Sequence, residues 1–275
     1  MNKEMLVIPS TELGEDPEMV FEIGLSWGIR NFELKTLWQN RVPYISDTQR
    51  DYLKGLITDY GVNIVAMSPG FGLRIEATEE AAQKELGDKL PRTIGLAKEL
   101  DCKRIVIFGF EKTEGVGMDF VIDKLGKAAE QAKAADMTLL VEPIAGNNIE
   151  NAEDLIQVVE AVNSEALRIN WDAGNIQSVG CNAYPDEYEK CKKYIAYCHL
   201  KNWYGPKKEL RLIDEGDIPV KANLERMKED GYNGYLAIET HTRWNRKHRF
   251  MPIAATKYNV DLVCKWLDEV GVVRS

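Results

Sequence analysis

Eight short runs rich in Val, Ile and Leu recur along the chain, each followed by a longer segment with helical spacing. The runs are 5–9 (MLVIP), 31–35 (NFELK), 63–68 (NIVAMS), 103–109 (KRIVIFG), 138–142 (TLLVE), 167–172 (LRINWD), 196–201 (AYCHLK) and 235–239 (YLAIE). Between and after them, apolar residues at helical intervals predict helices over 16–28, 47–60, 79–100, 119–136, 150–162, 185–194, 219–231 and 254–270. Ser46-Asp47 and Asn151, with Glu153 and Asp154 after it, read as helix starts; Gly61 and Gly231 read as stops. Apolar strands without polar alternation are those of a parallel sheet covered on both faces. Eight strand-helix units in 275 residues predict a (β/α)8 TIM barrel, a single domain spanning 1–275. An open doubly wound sheet is the competing architecture, but no GxGxxG follows the first run to support it.

A 44% hydrophobic composition is ample for such a core, and the net charge of −9 argues against a broad nucleic-acid face. The apolar run before Pro9 is too short for a signal sequence, and no other run approaches membrane-spanning length. Five cysteines, none in a CxxC spacing, suggest neither a disulfide framework nor a thiolate zinc site, so a reducing cytoplasm is the expected location.

In a barrel of this kind the active site forms at the C-terminal ends of the strands. Four consecutive runs end on metal-type ligands: Glu142 in LLVEP, Asp172 in INWDAGN, His199 in CHLKN and Glu239 in AIETHT. Separations of 30, 27 and 40 residues are about one βα unit each, which lets the four side chains converge at one mouth. Three carboxylates brought together repel one another, and a bound divalent cation resolves the conflict. Oxygen ligands with one imidazole and no thiolate indicate Mn²⁺ first, with Mg²⁺, Co²⁺ or a catalytic Zn²⁺ as alternatives. Each residue also has a plainer reading. Glu142 before Pro143 can cap the next helix, Asp172 can close an Asx-turn into Ala173-Gly174, and His199 can be a hydrogen-bonded core histidine.

The segments VEPIAGN, INWDAGN, CHLKNW and IDEGDIPVKANLERMKEDGYNGYLAIET resemble the sugar isomerase/epimerase superfamily with the xylose-isomerase-like barrel. That superfamily includes ketose 3-epimerases, inosose dehydratases, hydroxypyruvate isomerases and endonuclease IV-type enzymes. The resemblance implies a metal shell of Glu142, Asp172, His199 and Glu239, with both glutamates doubling as acid/base groups on opposite sides of a bound sugar. It also implies a homo-oligomer. Many members carry a histidine three residues after the sixth-strand aspartate, where this chain has Asn175. Endonuclease IV-type members need further histidines for a three-metal cluster, and the three here are His199, His241 and His248.

The function implied is a divalent-metal-dependent isomerase or epimerase of a small sugar or polyol, moving a proton beside a carbonyl through a metal-stabilised enediolate. A lyase or dehydratase expelling a group β to a sugar ketone is the alternative; a nuclease or a non-catalytic subunit fits less well. Asn175, Lys201, Trp203 and Glu33 are candidate substrate contacts. Lys201 can equally pair with a carboxylate, Trp203 can pack under its own loop, and Glu33 can anchor a cation inside the barrel. The stretch NWYGPKKELRLIDEGD reads as a long loop over the mouth. Arg243, Arg246, Lys247 and Arg249, after the eighth run, can hold a substrate phosphate or form a solvated surface.

Overall fold

In the computed structural model, which describes residues 1–241 and 251–271, eight parallel strands close into a barrel. They are β1 (Leu6–Pro9), β2 (Asn31–Leu34), β3 (Asn63–Phe71), β4 (Arg104–Ile107), β5 (Thr138–Val141), β6 (Leu167–Asp172), β7 (Ile195–Leu200) and β8 (Tyr235–Ile238). Each pairs with its neighbours in sequence, and β8 closes on β1 through Leu6 opposite Leu236 and Val7 opposite Ala237. All eight expected runs are strands, and the barrel is the expected one.

The period of two along each strand sorts side chains into two cores. Val7, Val65, Ala66, Val106, Phe108, Leu140, Tyr197 and Ala237 pack inside the barrel. Leu6, Ile8, Ile64, Met67, Ile105, Leu139, Ile169, Cys198 and Leu236 point outward into a larger layer shared with the helices. This parity fixes the chemistry of the mouth. Continuing the inward series gives Glu33 on β2 and Lys35 just after it, Ser68 on β3, Glu142 after β5, Asn170 and Asp172 on β6, His199 on β7 and Lys201 just after it, and Glu239 after β8.

The helices follow the expected segments. Pro17–Ser26 starts at the Asp16 cap, Asp47–Tyr60 opens on a Ser46–Gln49 capping box and stops at left-handed Gly61, and Ala152–Val162 is capped by Asn151. The expected helix at 185–194 is instead a kinked succession of short pieces, Ala183–Glu187, Tyr188–Cys191 and Lys192–Tyr194, with Tyr184 extended inside it. A short helix not expected from sequence, Ala173–Ser178, begins directly after β6.

The stretch after β7 is not a long open loop. Asn202–Tyr204 and Glu209–Arg211 pair as an antiparallel hairpin, and the chain then returns beneath it. Asn202 holds this return. Its side-chain amide donates to the carbonyls of Ile213 (2.8 Å) and Ile218 (3.0 Å), and its oxygen accepts from the backbone N–H of Trp203 (2.8 Å) and Ile218 (3.0 Å). Gly216 permits the approach, since a Cβ there would sit 2.1 Å from the Asn202 side-chain oxygen.

Removing that fully buried amide strands several backbone groups away from water. Asn202→Ala is expected to lower unfolding stability by about 3 kcal/mol. Chemical denaturation checks this, and a change within about 0.5 kcal/mol, the size of an ordinary surface substitution, would contradict the role given to Asn202.

Candidate metal centre

Four side chains meet at the C-terminal mouth of the barrel. Glu142, Asp172, His199 and Glu239 are all buried, and each offers a ligand atom within 4.8 Å of the others. Backbone register brings them together. Asp172 on β6 is paired with His199 on β7, and His199 with Ala237 on β8. Glu142 and Glu239 lie one residue past their strands, held by N–H bonds to the carbonyls of Ile107 (2.9 Å) and Leu200 (3.2 Å).

His199 is the hinge of the arrangement. Its Nε2 lies 2.9 Å from Glu33 Oε2, which also accepts from the Tyr197 hydroxyl at 3.0 Å. With Nε2 bearing its proton toward Glu33, Nδ1 faces the other candidate ligands, 3.2 Å from Glu142 Oε2 and 3.1 Å from Glu239 Oε2. Nδ1 is buried without a hydrogen bond. Glu239 Oε2 likewise makes no aligned hydrogen bond, although Lys201 Nζ stands 2.8 Å away as an ion-pair contact. Buried donor atoms that converge without a hydrogen-bond partner, Glu239 Oε2 and, once its proton leaves, His199 Nδ1, are what a divalent cation requires, so the residues fit one.

The remaining oxygens are already oriented. Asn170 donates to Glu142 Oε2 (3.0 Å) and Asn175 to Glu142 Oε1 (2.9 Å), so both carboxylate oxygens are held. Asp172 uses Oδ1 to cap the Ala173–Ser178 helix at the Asn175 N–H (2.8 Å) and receives Lys201 Nζ on Oδ2 at 2.6 Å. Lys201 reaches it along Gly174, where a Cβ would stand 2.7 Å from the lysine Cγ. Lys35 closes on Glu239 Oε1 from the other side and lies 3.5 Å from Glu33 Oε1.

These charges set the ionisation of the centre. Burial alone would raise the Glu142 carboxyl, but His199, Lys201 and Lys35 more than reverse this and hold it below the usual carboxylate range. Glu33 is likewise raised by burial and brought down to about 2 by His199 and Lys35. Burial raises Asp172, and Lys201 offsets only part of that. For His199 burial disfavours the cation, yet Glu33 and Glu142 lift it to about 9. The repulsion among the three carboxylates is thus already eased before any divalent ion binds. Two lysines and a protonated imidazole share that task in the polypeptide itself.

Of the other candidate contacts, Asn175 holds Glu142 and also donates to the Pro143 carbonyl at 3.0 Å, while Lys201 makes the ion pairs that its plainer reading expected. Glu33 stands behind His199, below the ligand group. Trp203 lies in the hairpin opposite Leu210, half-buried against the outer core. Arg243, Arg246, Lys247 and Arg249 lie outside the described residues. Sequence reading passed over Lys35, Asn170 and the pair Glu12–His241. Buried Glu12 accepts from the His241 backbone N–H (3.0 Å), and His241 Nε2 stands 3.6 Å from Glu239 Oε2. Lys35 and Asn170 were findable, each standing two residues from a candidate on the same inward face; nothing in the sequence links Glu12 to His241.

Barrel and ligand group together define a class. The chain belongs to the xylose isomerase-like TIM barrel family, whose model matches residues 21–268. Among curated proteins it is similar to fructoselysine 3-epimerase of Shigella flexneri, 22% identical over 209 residues, covering 72% of this chain and 75% of that protein. Among solved structures it superposes on a D-tagatose 3-epimerase-like protein with a TM-score of 0.80, 21% identity, and coverage of 97% and 98% of the two chains. A xylose isomerase-like TIM barrel protein from Mycobacterium smegmatis, in complex with magnesium, superposes with a TM-score of 0.71, 16% identity, and coverage of 91% and 89%.

A cation at Nδ1 must displace the second proton of an imidazolium that Glu33 and Glu142 stabilise. Because the metal-free imidazole is lifted to about 9, Mn²⁺ affinity is expected to rise with pH below that value, by about tenfold per unit, and to level off above it. Calorimetric Mn²⁺ titrations in buffers of different ionisation enthalpy check this through the proton released. An affinity flat with pH over the same window would contradict Nδ1 as a ligand.

Proposed function

We propose that the chain is a divalent-metal-dependent epimerase or isomerase of a small ketose or polyol. The observation that carries the reading is the convergence of Glu142 and Glu239 on His199 Nδ1, with one oxygen of each 3.2 Å and 3.1 Å from it. Similarity to epimerases supports it. We take Mn²⁺ as the first candidate ion because carboxylate and imidazole donors suit it, with Mg²⁺ next.

An ion held by Glu142, Asp172, His199 and Glu239 would polarise a substrate carbonyl and stabilise the negative charge that builds as the neighbouring C–H bond breaks. The protein residues supply the proton transfers. Glu142, kept ionised by its cationic neighbours and oriented by Asn170 and Asn175, can accept the carbon-bound proton on one face of the sugar. Glu239, with Lys35 and Lys201 against it, can return a proton on the other. Return to the same carbon from the opposite face is epimerisation; return to the adjacent carbon, with a proton shift between the oxygens, is aldose–ketose isomerisation. Burial of both carboxylates keeps solvent from competing for the transferred proton.

Proton NMR in D₂O, with Mg²⁺ as a diamagnetic ion and a panel of ketoses, tests this. Deuterium is expected beside the carbonyl with carbon skeleton and hydroxyl count retained, and Glu142→Gln or Glu239→Gln should slow exchange by about 10²–10⁴-fold. Loss of water or of a substituent without exchange into recovered ketose would replace the reading with elimination, and no turnover of any ketose would remove it.

A further inference from the structure

Among the described residues three cationic side chains, Lys35, Lys201 and Arg41, stand at the inner mouth of the barrel, and one has no carboxylate in contact. Lys35 is paired with Glu239 and Glu33, and Lys201 with Asp172 and Glu239. Arg41, on the short hairpin formed by Thr36–Leu37 and Asn40–Arg41 after β2, makes no ion pair among the described residues. Instead its Nε donates to the Ser68 carbonyl at 2.7 Å and its Nη2 to Ser68 Oγ at 3.0 Å. Nη1 makes no hydrogen bond to the described residues.

Ser68 locates the guanidinium. Met67 and Phe71 of β3 pack in the outer layer while Ala66 packs inside, so the fully buried Ser68 side chain points into the barrel, level with the inward Lys35. Arg41 is half-buried above it, with a free edge. Burial pushes its pKa down while Glu33 and Glu142 push it back, placing it within the field of the acidic group. A guanidinium drawn from water with no carboxylate in contact carries a desolvation cost that more distant charges offset only in part and that an incoming anion reduces. Two bonds to Ser68 fix its plane beforehand, and an Arg fork matches planar or tetrahedral oxyanions.

We propose that Arg41 recognises an anionic group, a carboxylate or a phosphate, on the ketose that binds at Glu142, Asp172, His199 and Glu239. This rests on the function proposed above and narrows its substrate class to acidic ketoses. Arg41 is a specificity determinant, with no part in proton transfer.

The test is calorimetric binding of D-fructose, D-fructuronate and D-fructose 6-phosphate to the full chain at low ionic strength, with and without Mn²⁺. At least one anion is expected to bind about tenfold or more tightly than D-fructose, and which one it is assigns carboxylate or phosphate. Arg41→Met should bring that ratio close to one, and Arg41→Lys should restore part of it. Equal binding of all three sugars by the unsubstituted protein, or an unchanged ratio in Arg41→Met, would overturn the proposal. If Arg41→Met fails to fold, Ser68→Ala, which removes only the Oγ acceptor, should shrink the ratio about threefold, and an unchanged ratio would count against Arg41. Deuterium exchange into D-fructose without anion preference would sink this inference alone. Anion preference dependent on Arg41, with no exchange into any ketose, would sink the epimerase reading alone.

Discussion

A carboxylate behind an imidazole organises the barrel mouth. Glu33 Oε2, fully enclosed on β2, holds His199 Nε2 and the Tyr197 hydroxyl, and that one contact decides which face of the imidazole is turned to the ligand carboxylates. Without it the ring could rotate or take the other tautomer, and Nδ1 would no longer sit between Glu142 and Glu239. Glu33 thus acts through His199, from the far side of the cation position. The energetic logic is that of buried charge in general, where an ionised carboxylate in a barrel interior persists only with partners on its oxygens.

Partners are supplied in rings. Around the four candidate ligands stand Asn170, Asn175, Lys35 and Lys201, which hold both Glu142 oxygens, Asp172 Oδ2 and Glu239 Oε1 and leave Glu239 Oε2 without an aligned hydrogen bond. Lys201 is the most exacting of these, because it touches both Asp172 and Glu239, two candidate ligands from different strands. An ion entering the centre must share those carboxylates with the lysine, which keeps the pair in register whether or not an ion is bound. The same economy appears at Asp172, whose one carboxylate caps a helix and belongs to the ligand group at once. Its plainer sequence reading, a turn-forming aspartate, was therefore not an alternative to the functional one. Nor was the reading of His199 as a hydrogen-bonded core histidine.

Much of this was legible because parallel barrel strands are apolar on both faces, so a Glu, Asp or His ending such a run stands out. That is how Glu142, Asp172, His199 and Glu239 were found, and why all eight strands were. Lys35 was in plain view in NFELK, two residues from Glu33 on the same face, but a lysine there reads as a strand terminus. Arg41 and Ser68 were not legible, since their contact depends on a hairpin four residues long in its paired part. Glu12 and His241 meet across the β1–β8 closure, 229 positions apart, and no local pattern reports that. The hairpin after β7 was hidden for a related reason. Its strands are three residues each, and the organising element is Asn202, whose four hydrogen bonds go to backbone groups brought back by the fold.

The proposed function requires the point between His199 Nδ1, Glu142 Oε2 and Glu239 Oε2 to take a divalent cation. Anomalous diffraction from crystals grown with Mn²⁺ measures this directly. A manganese peak bonded to Nδ1 and to oxygens of Glu142, Asp172 and Glu239, with Nε2 still on Glu33, is the expected result. Manganese absent from that point, with the Lys201 or Lys35 ammonium lying there instead, would contradict it.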